Sequence, residues 1–280
     1  ERLKAWLAMG ITRLSIGVQT FDDDRLQWMN RAHSSQQAVD AILSAHSLGF
    51  QHLSADLIYG LPDRKMPFAH DLEKAFGLPV DHLSAYILTV EDQTALGRNV
   101  QKGLEHVAPE SLVEAEYAML CSSAKEAGFD HYEVSNFARS GGHAQHNQHY
   151  WTGLPFLGIG PGAHGFDGQQ RLANVSNNPR YIAAVQKAQR LDDLSVERDV
   201  LSAHDRYNEG LMTGLRTAKG IDVEAFENEY GHHPQTEDPD FWRQCIADRT
   251  LEPLGGSRYR IREEKWLVAD RIASAFFVVA

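Results

Sequence analysis

Cysteine is scarce: Cys121 and Cys245 are the only two in 280 residues, too far apart for a secreted disulfide framework or a metal-type spacing, so a reducing compartment is expected. Positive charge is also short. Lys and Arg number 27 against 38 Asp and Glu, a net charge of -11 and the wrong sign for a chain that wraps nucleic acid. No run of about 18 apolar residues occurs, and no charged start leads into an apolar segment, so neither a transmembrane helix nor a signal peptide is expected. The apolar run from Ala273 to Ala280 is far too short to span. The sequence contains no GxSxG elbow and no HExxH pair, which disfavours a serine hydrolase and a zincin. An initiator methionine is missing as well. The chain enters a helical pattern directly at Arg2 to Met9, so a fragment of a longer protein is expected.

What remains is ordinary globular material, 42% hydrophobic, 23% charged and 9% aromatic. A chain of this length buries roughly 75% of its unfolded surface and needs no disulfides to be stable.

A helical pattern that stops at a glycine and runs into an apolar strand appears four times, at Gly10, Gly49, Gly77 and Gly128. The strands that follow read Thr12 to Gln19, His52 to Tyr59, His82 to Val90 and His131 to Asn136. Helical spacing fills Gln36 to Leu48 and Glu110 to Ala127. Strands alternating with helices predict a parallel sheet of βα units, part of a barrel or an open α/β sheet. In either architecture ligands sit at the carboxyl ends of the strands. Residues 137 to 179, rich in Gly, His and Asn, read as loop. From about Ser195 come further helical patterns, then a hairpin over Leu251 to Arg262 turning at Gly255-Gly256, and a last helix.

Three residues near strand ends stand out. Gln19 closes an apolar strand, where it serves either a loop hydrogen bond or a ligand. Asp56 interrupts the apolar run LSADLIYGLP; a carboxylate there is costly unless it caps backbone amides or faces a ligand. Arg31, taken alone, reads as a surface charge. Together they offer what a nucleoside bearing an amino-acid group requires: acceptors for ribose hydroxyls and a guanidinium for a carboxylate.

A second cluster is His143, His146, Asn147, His149, Tyr150 and Trp151. No carboxylate or thiol completes a zinc spacing there. Imidazole beside two large aromatics suits a flat aromatic ligand such as haem. The alternative is a polar loop around a buried Trp. Gly158, Gly160, Gly162 and Gly165 are not followed by Lys-Ser or Lys-Thr, so they read as a tight loop rather than a phosphate cradle.

RLSIGVQTF (Arg13 to Phe21), the NRAH around Arg31, DLIYGLP (Asp56 to Pro62), HLSAYILTVEDQT (His82 to Thr94), YEVSNFAR (Tyr132 to Arg139), HNQHYW (His146 to Trp151) and FLGIGPGAHG (Phe156 to Gly165) together resemble the HemW/HemN family. These are radical S-adenosylmethionine (SAM) proteins, and the resemblance runs through nearly the whole chain. It implies an α/β fold: a partial, incomplete radical-SAM-type α/β barrel over 1–190, then a small C-terminal helical, winged-helix-like domain over 191–280. It implies SAM binding by Gln19, Arg31 and Asp56. The HNxxYW motif belongs to the haem-chaperone branch, which makes His146 the candidate haem-iron ligand, with Asn147, Tyr150 and Trp151 shaping the pocket.

The family's CxxxCxxC motif, three thiolates holding a 4Fe-4S cluster, has no match here and is expected upstream of Glu1. The expected function is a haem chaperone handing haem to an acceptor protein, respiratory proteins among the candidates. The alternative is oxygen-independent coproporphyrinogen III oxidation, and no catalytic residue is assigned. Arg258, Arg260 and Arg262 alternate along one strand face, yet Glu263, Glu264 and the overall acidity favour a solvated edge strand over a DNA-binding module. The expected setting is cytoplasmic, without nucleic acid and with at most peripheral membrane association.

Overall fold

Residues 1–63, 65–188 and 196–279 are described by the computed structural model of the chain. It divides into two compact units, Glu1–His143 and Ala144–Ala280. The domain break expected near residue 190 lies outside the described residues.

The first unit runs α1 (Arg2–Ala8), β1 (Arg13–Gln19), α2 (Asp23–Trp28), α3 (Ser35–Leu48), β2 (His52–Tyr59), α4 (Phe68–Gly77), β3 (His82–Ile87), α5 (Ala95–Gln101), α6 (Glu110–Glu126), β4 (Asp130–Glu133) and β5 (Asn136–Ala138). Its strands form one five-stranded sheet in the order β1-β2-β3-β5-β4. β1, β2 and β3 are parallel, as the βα alternation predicts. The fourth expected strand differs. His131 to Asn136 is not one parallel strand but the turn of a hairpin, with β5 antiparallel to β3 and β4 on the outer edge.

Strand alternation explains why this sheet has two unlike faces. One parity carries Val18, Leu53, Ala55, Leu57, Leu83 and Ala85, all buried. Apolar stripes on α3 (Ala38, Ile42, Ala45), α4 (Phe68, Leu72, Ala75) and α6 (Val113, Tyr117, Leu120, Ala124) supply the matching cover. The opposite parity carries Ser15, Gly17, Ser54, Asp56, His82, Ser84 and Tyr86. Gly17 and Ile58 apart, this parity is polar, which favours a ligand over an apolar core on that face.

The second unit runs α7 (Gln145–Trp151), β6 (His164–Phe166), β7 (Gln170–Asn174), α8 (Asn178–Lys187), β8 (Val196–Val200), α9 (Ala203–Leu215), β9 (Ile221–Asp222), α10 (Val223–Tyr230), α11 (Pro234–Glu237), α12 (Pro239–Ala247), β10 (Leu251–Gly255), β11 (Arg258–Ile261), a 3-10 turn at Glu263–Val268 and α13 (Ala269–Ser274). The loop expected over 137 to 179 is therefore corrected: it holds β5, α7, β6, β7 and the start of α8. β6, β7 and β8 form an antiparallel sheet. The expected C-terminal hairpin is present as β10 and β11, joined by β9 into a second three-stranded sheet. Tyr207, Leu211, Leu215, Trp266, Ala273 and Phe276 make the core beneath it. Among the described residues, no helix is long and apolar enough to cross a membrane.

Candidate functional site

In the first unit the sheet's polar face converges on Asp56. Its register neighbours are Gly17 on β1 and Ser84 on β3. Ser15 Oγ donates to Asp56 Oδ1 at 2.7 Å and Ser54 Oγ at 3.4 Å. The carboxylate is half-buried, so it is pre-oriented by two hydroxyls while keeping acceptor capacity toward open space.

Gln19 reaches the same face by an irregularity. The β1–β2 register shifts between Gly17 and Gln19, and Gln19 has φ 69, in the left-handed region. Its side chain folds back over Gly17, with Nε2 only 2.6 Å from where a Cβ on that glycine would stand. Gly17 is therefore required to make room for the amide beside Asp56.

The backbone after Gln19 is anchored from outside the strand. Asp71 of α4, fully buried, accepts from Thr20 Oγ at 2.8 Å and from the Phe21 amide at 2.7 Å. Asp22 then caps α2 with one oxygen while its other oxygen accepts from the amides of Lys65 and Met66. At the end of β2, buried Glu116 of α6 accepts from the Gly60 amide at 2.6 Å. Arg31 is exposed in the turn after α2, and that turn is linked to β1 where His33 Nε2 lies 3.3 Å from the Val18 carbonyl oxygen. Gln19 and Asp56 are thus brought together on one face. Arg31 lies at the same end of β1 without a side-chain hydrogen bond to either.

Behind Asp56, His82 is 2% exposed, with Nδ1 2.7 Å from Ser54 Oγ and Nε2 2.8 Å from the Tyr132 hydroxyl. With Ser54 donating to Asp56, the His82 proton is assigned to Nδ1 and Tyr132 donates to Nε2. Burial first, then the nearby Arg13 charge, push its pKa down to about 4, so it is neutral at physiological pH. Burial also raises the Tyr86 hydroxyl above its ordinary range.

The second unit holds the aromatic cluster. A cavity of about 590 Å³ is lined by α7 and its following turn, β6, β7, α9 and α10. Its size is that of a small-molecule or cofactor pocket. Tyr150 and Trp151 form part of the wall, with Phe156, Phe166, Phe226 and Tyr230. Tyr150 and Phe156 meet edge to face at 4.5 Å, and Phe226 and Tyr230 do so at 5.0 Å. His146 and Asn147 are not among the lining residues. His146 Nε2 instead lies 3.0 Å from the Tyr150 hydroxyl. The imidazoles on the wall are His149 and His164. Arg171 there pairs with Glu209 at 2.7 Å, and burial raises the Glu209 pKa against the pull of that arginine.

The glycine-rich stretch is a packing device. A Cβ on Gly158 would stand 2.4 Å from the His164 carbonyl oxygen, and one on Gly165 3.0 Å from the Gly158 amide. The row Arg258, Arg260 and Arg262 lies against carboxylates of Asp222, Glu252 and Glu264.

Sequence reasoning missed Asp71, Glu116 and His82. A signal did exist for the first two: each interrupts an apolar helical stripe, Asp71 among Phe68, Leu72 and Ala75, and Glu116 among Val113, Tyr117 and Leu120.

Family models described as the Radical SAM superfamily and the HemN C-terminal domain match residues 1–75 and 201–252. A protein named heme chaperone HemW from Bacillus subtilis is 33% identical over 99% of this chain and 72% of its own length. The heme chaperone HemW of Mycobacterium tuberculosis is 38% identical over 76% of this chain and 54% of its own length. Among solved structures, coproporphyrinogen III oxidase (HemN) from Escherichia coli superposes with a TM-score of 0.78 at 18% identity, covering 99% of this chain and 66% of that one, a likeness of fold. Matched by both family models and aligned to HemW along nearly its whole length, the chain belongs to the HemW family of radical SAM proteins.

Proposed function

We propose that this chain is the greater part of a haem chaperone, taking up haem in the second unit and yielding it to an acceptor protein. The observation that carries the reading is the aromatic cavity walled by Tyr150 and Trp151, the last two residues of the HNQHYW segment. Edge-to-face aromatics with the half-buried Arg206 and the more exposed Arg171 accommodate a flat macrocycle and its carboxylates. The name borne by the HemW relatives supports the same reading. Oxidation of coproporphyrinogen III draws support only from the HemN fold, and a fold alone does not carry an activity.

In the first unit, Asp56 and Gln19 are proposed to hold the ribose hydroxyls of SAM, and Arg31 its carboxylate. Bound there, SAM would supply radical chemistry. The chain's own contribution is positional: Ser15 and Ser54 aim Asp56, Asp71 fixes the turn after Gln19, and His82 stays neutral behind them. A 4Fe-4S cluster does not fit this chain's thiols, since Cys121 on α6 and Cys245 on α12 lie in different units and make no three-thiolate set. A reducing, cytoplasmic setting is part of the same proposal, resting on the scarcity of cysteine in the sequence.

Haemin titration followed in the Soret region tests the reading. The chain is expected to give a saturable Soret shift that Trp151→Ala weakens by roughly tenfold in affinity. Absence of a saturable shift in the unaltered chain would sink it.

A further inference from the structure

His146 is the histidine that the motif singles out, yet it is absent from the cavity wall and its Nε2 is engaged with the Tyr150 hydroxyl at 3.0 Å. Two other imidazoles do face the cavity. His149 projects from the last turn of α7 beside Tyr150 and Trp151. His164 comes from β6, where Phe166 lies two residues on, on the same strand face, and Arg171 pairs across from Phe166 on β7. All three of those β-sheet side chains line the cavity. Neither His149 nor His164 has a side-chain hydrogen bond among the described residues, so their ring nitrogens are open to a metal. His146 would have to give up its bond to Tyr150 to ligate through Nε2, whereas the His149 and His164 rings stand on the wall with both nitrogens unengaged.

Two further polar groups point to the chemistry of the occupant. Arg206, half-buried on the α9 wall, has no ion-pair partner among the described residues, whereas Arg171 is neutralised by Glu209. An unpaired guanidinium in an aromatic pocket calls for an anion, and a carboxylate suits its fork. Trp151 Nε1 is buried without a hydrogen-bond partner. Aromatic walls, open imidazoles and one unmatched cation together fit a planar iron complex that carries carboxylates.

Resting on the haem reading above, we propose that the haem iron is ligated from the cavity wall by His149 and His164 with a haem carboxylate on Arg206, and that His146 is a positioning residue that orients Tyr150.

The test is haemin titration of the chain and three variants, each first checked for native far-UV circular dichroism. His149→Ala/His164→Ala together are expected to lower affinity at least tenfold and to move the Soret maximum toward that of free haemin, and added imidazole is expected to restore the native spectrum. His146→Gln retains a hydrogen-bonding partner for Tyr150 and is expected to bind within about twofold of the native chain with an unchanged spectrum. Arg206→Gln is expected to weaken binding several-fold while leaving the Soret maximum in place, because it touches a carboxylate and not the iron. A double variant with the native spectrum, or a His146→Gln chain that loses it, overturns the assignment. A native chain with no Soret shift at all removes the haem reading itself, a result distinct from either.

Discussion

Among the described residues every buried carboxylate, Asp22, Asp71, Glu116 and Glu133, lies in Glu1–His143, while the buried polar side chains of Ala144–Ala280 are two threonines, Thr217 and Thr250. The first unit commits its charges to backbone. Asp71 holds Phe21, Asp22 holds Lys65 and Met66, and Glu116 holds Gly60, so each fixes a turn at the carboxyl end of a strand. The second unit leaves its ions at the surface or on a cavity wall and builds its pocket from aromatic rings. Rigid placement of a few hydrogen-bonding groups needs buried, satisfied charge. Acceptance and release of a large flat ligand needs dispersion contact and few obligations.

The contrast can be broken most forcefully at Asp71. Asp71→Ala strands a buried hydroxyl and a buried amide, and a loss of about 4 kcal/mol in urea unfolding is expected. A loss under 1 kcal/mol would mean that the buried carboxylates are not what holds the first unit's turns.

Next comes pH. His82 is neutral in the folded chain down to about 4, whereas in the unfolded chain it takes up a proton near its ordinary value of 6.5. Its folded-state pKa is depressed, so stability is full above about 6.5, falls as pH drops through the window to about 4, and levels off below. The fall amounts to about 3 kcal/mol. In His82→Gln the stability profile should be flatter across that window, which urea unfolding at several pH values would reveal. An equally steep profile would assign the dependence to other groups.

A smaller effect is expected at Gly17. Gly17→Ala places a methyl against the Gln19 amide, and since the amide is the end of a flexible side chain the fold should survive. SAM affinity, read by equilibrium dialysis with the labelled nucleoside, should drop about fivefold. An unchanged affinity would remove Gln19 from the proposed contact set. Smallest of all is Arg260→Ala in the second unit, whose partner Glu252 is itself about a third exposed. About 0.5 kcal/mol is expected, the ordinary value for such pairs. A loss several times larger would erase the distinction between the units.

Legibility followed the same divide. β1, β2 and β3 were readable because alternating apolar and polar positions repeat in RLSIGVQ, HLSADLIY and HLSAYI, and their predicted ends lie within a few residues of those observed. The reversal at Val134-Ser135 was not, because four-residue β4 and three-residue β5 carry too few positions to show a direction. Helix α7 escaped notice for a local reason: Ala144 offers no side-chain cap, and the first turn has no acidic residue. Gln19 and Asp56 were legible as polar residues at or within apolar strands, and they do share a face. That His146 stands off the cavity while His149 and His164 line it depends on helix phase and on a strand of three residues, which no spacing in the sequence reveals.

The two-faced sheet has an evolutionary consequence. Because Leu53, Ala55, Leu57, Leu83 and Ala85 carry the packing against the helices on one parity, the exposed positions of the other parity, Ser15 and Tyr86, are under little pressure from folding. Exchanges at the open positions Ser15 and Tyr86 trade one solvent-facing group for another and leave the helical cover and the buried Ser54, His82 and Ser84 untouched. Such a scaffold is free to explore new ligands one alternate residue at a time, with its stability held elsewhere on the same strands.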